Sequence, residues 1–207
     1  MEQIQKSEST RSKVLNAARE LFWERGYEAT SLADIAERTG AKQGSIYYFF
    51  KTKEELLLGV LDLYTDLLVP VLIQPLFERV KDPIERIFGL LDGYRQALVL
   101  TGCTYGCPIG NLALEVGVTM PRAREKIAAN FEGWRSWVRK CLEDAKDTLP
   151  PDFDVKGMAI FILTVMEGAV MQARAHQSLE PFDASVKHLR EYFRLLQMKA
   201  TQRRDEV

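Results

Sequence analysis

Apolar residues recur at spacings of three and four along most of the chain, and no stretch alternates apolar with polar residues over several positions. Val14, Ala18 and Leu21 show the spacing near the N-terminus, and Ile84 and Ile87 show it again in the middle. This spacing marks one face of an α-helix, whereas alternation marks a half-buried strand. We therefore expect an all-α protein.

The composition is that of an ordinary globular protein of 207 residues, with 46% hydrophobic and 28% charged residues. It provides enough apolar material for a core. The 28 basic and 29 acidic residues give a formal net charge of −1. Net charge therefore predicts no general attraction to nucleic acid, and any DNA-binding surface must be positive only locally.

Three cysteines are too few and odd in number for a disulfide framework. The first ten residues are polar, unlike a signal peptide. The apolar run at 158–170 is shorter than the roughly 18–20 residues of a membrane span. We therefore expect a cytoplasmic protein with no membrane partner.

Helix-ending residues divide the first seventy residues into three short helices and a longer fourth. Gly26 and Gly40 are typical of helix C-termini, and Pro70 is expected to close the fourth helix. Two pairs of residues have the spacing of a capping box, in which side chains and backbone N–H groups bind each other reciprocally. These pairs are Ser31 with Asp34 and Thr52 with Glu55.

Beyond Pro70 the apolar pattern predicts mostly longer helices, interrupted by a turn-rich segment at residues 101–110. The helix containing residues 158–170 is apolar nearly all round, which indicates burial on more than one side. The predicted helices cover about 83–100, 111–116, 121–146, 154–178 and 183–199.

The segment from Thr30 to Lys53 carries the residues that point to a function. Two short helices joined at Gly40 match the helix-turn-helix plan, in which the second helix enters the DNA major groove. Ser31 begins the first of these helices, where free backbone N–H groups suit a phosphate oxygen. The second helix begins with the donors Lys42, Gln43 and Ser45, and Gly44 between them would let backbone and duplex approach closely.

The run GYEATSLADIAERTGAKQGSIYYFFKTKEELL resembles the N-terminal signature of the tetracycline-repressor (TetR) family of transcription regulators. The resemblance covers about residues 8–68, with the helix-turn-helix at 31–50. It implies a three-helix DNA-binding domain at 8–68. A long fourth helix would join it to a larger helical domain at 69–207, which binds ligand and forms the dimer.

The resemblance also implies individual DNA contacts. Two departures from the family pattern are Lys42, where Ser or Thr often caps the helix, and Phe49, which replaces a common His. Phe50 is expected to be an aromatic residue of the core. Phosphate contacts are implied for Thr30 or Ser31, Tyr47, Tyr48 and Lys53, and base-edge or close backbone contacts for Lys42, Gln43, Gly44 and Ser45.

A ligand pocket is expected between helices of the second domain, because helical bundles build their cavities between facing helices. Aromatic and sulfur-containing side chains recur at helical spacing in two of these helices, although most of them must form core. Glu167, within an apolar helix, is either a polar anchor for a ligand or a satisfied core carboxylate. The candidate pocket residues are Cys107, Phe131, Trp134, Phe161 and Glu167.

The cysteines allow an alternative in which Cys103 or Cys107 senses oxidants or electrophiles. Such a switch needs an accessible thiol of low pKa, which the N-terminus of the helix after Cys107 could provide. Cys141 is a weaker candidate. A small packed side chain is the more ordinary interpretation of each.

The last two helices are expected to form a dimeric four-helix interface. Gly168, Ala169 and Ala173 are small residues that would let another helix approach closely. Dimerisation would place two recognition helices about 34–36 Å apart on a palindromic operator.

These features predict a ligand-responsive regulator, a repressor that is released from its operator by a small, largely apolar effector. No nucleophile–base pair, metal-ligand cluster or phosphate-binding glycine loop is visible, so we expect no enzyme activity, metal or cofactor. A helical adaptor that no longer binds DNA is a further alternative. It rests on Phe49 and on the neutral first 55 residues, which hold nine basic and nine acidic side chains.

Overall fold

A computed structural model describes residues 9–205, and within that range the regular structure is helical throughout, which confirms the all-α prediction. A 3₁₀ turn at Lys146–Thr148 follows the seventh helix. The nine helices are α1 (Thr10–Arg25), α2 (Leu32–Thr39), α3 (Gln43–Phe49), α4 (Lys53–Arg79), α5 (Pro83–Leu100), α6 (Pro108–Val116), α7 (Pro121–Asp144), α8 (Val155–His176) and α9 (Glu180–Asp205).

Internal contacts divide the described chain into two units. The first contains residues 9–65 together with Pro108–Ala128, and the second contains Asp66–Cys107 together with residues 129–205. This division differs from the predicted boundary between residues 68 and 69. The reason is that α6 and the first turns of α7 pack with the N-terminal helices. The first unit therefore consists of two separate segments of the chain.

Local capping follows the sequence closely at α2. The Ser31 hydroxyl accepts a hydrogen bond from the Asp34 backbone N–H, the Asp34 carboxylate accepts one from the Ser31 N–H, and Gly40 ends the helix in the left-handed region. At the start of α4 only half of the predicted box forms. Thr52 accepts from the Glu55 N–H, but the Glu55 carboxylate accepts from Lys51 rather than from Thr52.

The prediction that Pro70 closes the fourth helix is wrong. The helix continues to Arg79 through a wider π-helical turn at Leu68–Ile73. Proline lacks an N–H and crowds the preceding turn, so an ordinary α-helix kinks or stops there. A π-helical turn changes the local hydrogen-bond spacing, and the helix continues past the proline.

The first unit has a compact apolar core around α1. Val14 and Ala18 of α1 are fully covered, as are Ile35 of α2 and Ile46 of α3. Gly59 of α4 lies so close to this core that an added Cβ would meet Leu15 at 3.0 Å and the Phe50 ring at 3.3 Å. Tight packing against α1 therefore holds α2, α3 and the start of α4 as one body.

In the second unit α5, α8 and α9 pack against each other. The rings of Phe88 and Phe193 meet edge to face with centroids 5.9 Å apart, and the Arg190 guanidinium lies 3.8 Å from the Phe88 centroid. The Arg95 guanidinium also donates to both oxygens of Asp183, at 2.7 and 3.0 Å. Aromatic packing and one two-point ion pair thus join α5 to α9.

The small residues of α8 are not placed as predicted. Ala169 and Ala173 are buried inside the second unit, so they pack within the chain and cannot be where a partner helix approaches. Gly168 lies on another face, where an added Cβ would meet no atom within 4 Å. The physical reason is the helical period: positions 166, 169 and 173 share the inward stripe of α8, whereas 161, 164, 168 and 171 share its outer face.

Two helices, α4 and α8, are long and apolar enough by length and composition to cross a membrane, contrary to the sequence expectation. Core helices of water-soluble proteins have the same property. In α8 the inward stripe, which includes Ile162 and Met166, is covered by the second unit itself. Length and composition alone therefore assign neither helix to a membrane.

Candidate DNA-binding interface and buried polar site

The recognition helix α3 turns one face to the core and leaves the other open. Ile46 and Phe50 are buried, which confirms Phe50 as a core aromatic. Lys42, Gln43 and Gly44 are exposed at the start of the helix. An added Cβ on Gly44 would meet no atom within 4 Å, so the space before it is open.

Helix α3 begins at Gln43 with Lys42 as its N-cap residue, and the Lys42 side chain makes no capping hydrogen bond. The Lys42 carbonyl instead accepts from the Ser45 N–H at 2.8 Å. The departure from a Ser or Thr cap therefore leaves the helix start in place. It also leaves the lysine ammonium on the surface, where it can meet DNA.

The aromatic residues at the end of α3 lie on its outer side. Tyr48 is 74% exposed and Tyr47 is 49% exposed, so Tyr47 is not a core residue. Phe49, in place of the expected His, is 37% exposed and meets Tyr48 edge to face at 5.0 Å. Both tyrosine hydroxyls are therefore presented beside the open face of the helix.

The structure contradicts the prediction that Thr30 contacts phosphate. Its side chain is fully buried, and its hydroxyl donates to the carbonyls of Gly26 at 2.7 Å and Leu21 at 3.3 Å. The hydroxyl thus joins the end of α1 to the start of α2 and is covered by protein. Thr30 acts as a structural residue of the helix-turn-helix.

Ser31 is exposed, but its hydroxyl already binds the Asp34 carboxylate at 2.6 Å. These hydrogen bonds from Ser31 hold the pKa of Asp34 below its ordinary value, with smaller contributions from Arg25 and Lys53. The N-terminus of α2 therefore carries a carboxylate of its own. A DNA phosphate at this point would rely on backbone N–H groups of the first turn rather than on a free hydroxyl.

Lys53, at the start of α4, is half-buried and already has partners. Its ammonium lies 4.1 Å from the centroid of the Tyr27 ring and 3.4 Å from the Glu28 carbonyl, to which it donates. These contacts fix the charge beside the loop that leads into α2. A phosphate contact for Lys53 remains geometrically open, because an ammonium has three N–H donors.

Sequence reasoning missed Arg11 as a basic group at this surface. It is exposed in the first turn of α1, and its guanidinium lies 5.3 Å from the centroid of the Phe50 ring at the end of α3. Only the tertiary packing brings these two positions together. The structure therefore adds one positive charge near the recognition helix.

A carboxylate of α6 holds the loop between α1 and α2. The Glu115 oxygens accept hydrogen bonds from the backbone N–H groups of Tyr27, at 2.8 Å, and Glu28, at 2.6 Å. Gly26 precedes them at φ +92°, and an added Cβ there would lie 3.1 Å from both Glu115 oxygens. Helix α6 is thus tied to the loop between α1 and α2, four and five residues before the start of α2.

In the second unit, Tyr94, Cys107, Trp134 and Glu167 form a polar cluster, in which the cysteine is buried and the other three residues are partly buried. The Tyr94 and Trp134 ring centroids are 5.2 Å apart, and the Tyr94 hydroxyl lies 3.9 Å from the Cys107 sulfur. The Cys107 thiol also hydrogen-bonds the Glu167 carboxyl. Burial raises the pKa of Glu167, and the thiol opposes this shift only in part.

Beside this cluster lies a cavity of about 10 Å³, lined by residues including Tyr94, Trp134 and Met166. It offers space for about one water molecule. Phe131 is half-buried on the same helix as Trp134. The structure thus places Cys107, Trp134 and Glu167 in one cluster, and of these three Trp134 lines the small cavity.

Phe161 does not belong to this cluster. It is 49% exposed and lies in an open apolar groove of about 600 Å³ between α8 and α9, with Val165, Leu189 and Tyr192 among the lining residues. The placement follows from helix geometry, because position 161 is on the outer face of α8 and position 167 is turned toward Cys107. Phe161 therefore lines this groove instead of the cluster, and its role in a ligand pocket stays a prediction.

The three cysteines are free and buried. Burial raises the pKa of Cys141 to about 11, the opposite of what a reactive thiol needs. Cys103 is a non-glycine residue with a positive φ of 58°, but its side chain is covered. Within residues 9–205 no group of three or more His, Cys, Asp or Glu side chains could hold a metal ion.

Comparison with known proteins identifies the family. Residues 14–60 match the model for "Bacterial regulatory proteins, tetR family", and residues 83–189 match the model for "Tetracyclin repressor-like, C-terminal domain". The second match alone spans more than half of the chain. The chain belongs to the TetR family of transcriptional regulators, a class of DNA-binding proteins rather than enzymes.

Individual relatives agree with this assignment. The HTH-type transcriptional repressor ComR of Escherichia coli is 31% identical, over 82% of this chain and 82% of its own. An uncharacterised HTH-type transcriptional regulator of Mycobacterium tuberculosis is 30% identical, over 87% and 92%. The crystal structure of a TetR transcriptional regulator from Chloroflexus aurantiacus has a TM-score of 0.73 at 30% identity, covering 88% of this chain and 92% of that chain.

Proposed function

We propose that the protein is a dimeric repressor in the cytoplasm that binds a palindromic operator and is released by a small effector. The observation that carries the DNA-binding part is the open face of α3. Gln43 and Gly44 are exposed at its N-terminal end, Tyr47 and Tyr48 flank it, and its other side is anchored in the core. Such a helix can enter a major groove without rearrangement of its own domain.

Contacts on this face divide into two kinds. Lys42 and Gln43 stand at the end of the helix that meets base edges, so they are assigned to sequence reading. The tyrosine hydroxyls, Lys53 and the newly found Arg11 are assigned to phosphates, which fix register but carry no sequence information. The first turn of α2 adds backbone N–H groups.

Dimerisation is proposed through α8 and α9. Their outer faces expose large apolar side chains, including Phe161 at 49%, Tyr192 at 43% and Leu195 at 63%. Exposed apolar side chains clustered in this way mark an interaction surface. A second copy would cover the groove between the two helices and form a four-helix interface.

Effector control is proposed to act through α6. Cys107, which belongs to the polar cluster, is the residue immediately before α6, and Glu115 in the last turn of α6 holds the loop before α2. An effector that displaces Cys107 would therefore move the helix that carries Glu115. A coupling of about 1–3 kcal/mol would weaken operator binding roughly 5- to 150-fold.

Selection of bound sequences from a random duplex library tests the DNA-binding proposal. A recovered palindrome is expected. Gln43→Ala should then cost about 1–3 kcal/mol and relax the sequence preference at one position of each half-site. Lys81→Ala, an exposed lysine between α4 and α5, is the matched control and should leave binding unchanged. Recovery of unselected sequence alone would contradict the proposal and favour the adaptor alternative.

The thiol-sensing alternative gains no support from the geometry. Cys103 and Cys107 are 5% and 3% exposed, which denies oxidants or electrophiles direct access. We therefore assign Cys107 a hydrogen-bonding role in the effector site.

A further inference from the structure

Glu167 is an unusual residue for the position it occupies. It lies on α8 among apolar side chains, and its Oε1 atom is completely covered yet has no hydrogen-bond partner in the described part of the chain. A buried polar atom without a partner destabilises the folded chain, and more strongly when the group is charged. Such an atom calls for an explanation other than packing.

The carboxyl also has no counter-ion within residues 9–205. The interactions that act on its ionisation are burial and the hydrogen bond from Cys107, and no lysine or arginine contributes. A buried carboxylate without a positive partner is normally avoided. The position is therefore suited to a positive charge that comes from outside the chain.

Two aromatic rings belong to the same cluster and are linked to this carboxyl through Cys107. Tyr94 reaches Cys107 through its hydroxyl, Cys107 reaches Glu167, and the Trp134 ring packs against the Tyr94 ring. Cations bind to the faces of tryptophan and tyrosine, most strongly when water is excluded. The cluster thus contains the two kinds of group that recognise an organic cation, a carboxyl group and aromatic rings.

The cavity lined by Tyr94 and Trp134 indicates which chemical groups the rest of the ligand would carry. Its lining is apolar, with Leu91, Ile162 and Met166 among the residues, but its volume is only about 10 Å³. A ligand must therefore displace side chains to enter. Methionine adapts readily to such changes because it is unbranched and has three rotatable bonds.

We propose that the effector is an organic cation, an amine or quaternary ammonium with an apolar body, held by the Glu167 carboxylate and the Tyr94 and Trp134 rings. The inference rests on the proposed function as an effector-responsive regulator. A neutral apolar ligand would leave Oε1 without a partner, and an anion would be repelled. Only a cation compensates the carboxylate and satisfies the rings together.

Matched pairs of ligands that differ only in charge test the proposal. Benzyltrimethylammonium is paired with neopentylbenzene, and hexyltrimethylammonium with 2,2-dimethyloctane, in which carbon replaces nitrogen. Binding to the full chain is measured by isothermal titration calorimetry. We expect at least one ammonium ion to bind about tenfold or more tightly than its neutral partner, as a desolvated cation–π contact and an ion pair would give.

Two variants connect this preference to the site. Glu167→Gln keeps the shape but removes the charge, and should abolish the preference for the cation. Trp134→Leu keeps the carboxyl but removes one ring, and should reduce the preference for the cation. Glu143→Gln, which changes an exposed glutamate of α7, is the control and should retain the preference for the cation. Equal binding within both pairs, no binding of either cation, or a preference that survives Glu167→Gln would overturn the proposal.

This experiment can fail separately from the DNA-binding proposal. If a palindrome is selected but neither ammonium ion binds in preference to its isostere, the regulator stands and the cation site falls. If a cation binds through Glu167 but no sequence is selected, the site stands as a binding site without the proposed regulation. Addition of the cation to the operator complex then tests the link between the two, because release is expected.

Discussion

At the scale of single residues, neighbours in the sequence have opposite roles. Thr30 and Ser31 are both hydroxyl residues at the start of the helix-turn-helix, yet Thr30 is fully buried and Ser31 is exposed. The Thr30 hydroxyl satisfies carbonyls of α1 and of the following loop, whereas Ser31 caps α2. Residue type alone therefore does not separate a structural hydroxyl from one at the DNA surface.

Thr30→Val should destabilise the protein without removing a DNA contact. Valine has the same shape but no hydroxyl, so the carbonyls of Gly26 and Leu21 lose this donor, at a cost of about 1–3 kcal/mol in the free energy of unfolding. Urea unfolding at fixed protein concentration measures this loss of stability. Operator affinity of the folded fraction should stay unchanged, and a selective loss of DNA affinity at unchanged stability would contradict the structural role.

Glu167→Gln should stabilise the unliganded protein increasingly as pH rises. Burial raises the pKa of Glu167 in the folded chain, so above the ordinary value of about 4.3 the native state keeps a proton that the unfolded state releases. The wild-type free energy of unfolding therefore falls with rising pH until the folded pKa is passed.

Glutamine does not titrate and lacks this decline. Urea unfolding between about pH 4 and pH 8, with wild type and variant at equal concentrations, measures the difference. The Glu143→Gln control, at an exposed position, should track the wild type. A constant difference across the range would show that the Glu167 carboxyl is not held in its neutral form by burial.

At the scale of elements, α6 is a short helix whose last turn makes a specific contact with the N-terminal helices. Its N-terminus follows Cys107, and its last turn carries Glu115, which binds two backbone N–H groups of the loop before α2. The glycine at position 26 is required there, both for its positive φ and because a Cβ would crowd the carboxylate. The loop therefore needs a glycine at position 26 to leave room for the Glu115 carboxylate of the helix.

Glu115→Ala should loosen this connection. It removes both acceptors, so the Tyr27 and Glu28 amides should lose protection from hydrogen exchange, and the free energy of unfolding should fall by about 1–3 kcal/mol. Exchange resolved by residue, together with urea unfolding, measures the two effects. Glu125→Ala, an exposed glutamate of α7, should change neither. Unchanged protection at Tyr27 and Glu28 would refute the role of Glu115.

At the scale of the whole molecule, the charge distribution and the exposed apolar surface support the proposed dimer as the active form. The first 55 residues are neutral, so one DNA-binding domain offers little general attraction to DNA. Two domains held together gain by avidity instead, because the second contact becomes intramolecular. The apolar outer faces of α8 and α9 offer the surface for such an association.

Leu195→Asp should disrupt the proposed dimer. Leu195 is 63% exposed on α9, so a charge is tolerated in the monomer but would be buried in the interface. Sedimentation should show monomers, and operator affinity should fall by about 10²–10⁴-fold as avidity is lost. Leu100→Asp, at an even more exposed leucine of α5, should leave both unchanged. A Leu195→Asp variant that stays dimeric would place the interface elsewhere.

The local features of this protein were determined by its sequence. The all-α fold, the capping box at Ser31, the helix end at Gly40 and the family signature depend on residues within a few positions of each other. Helical periodicity and caps act over one or two turns, so they can be recognised without knowledge of the rest of the chain.

Only the tertiary structure decided which face each helix buries and which distant groups meet. It placed Thr30 inside, turned Phe161 outward and Ala169 inward, and brought Glu115 to Tyr27 across 88 positions of sequence. A helix that is apolar nearly all round gives no signal for its inner face, and a hydrogen bond between distant segments leaves no local pattern. These features depend on packing between helices, which is a property of the folded chain as a whole.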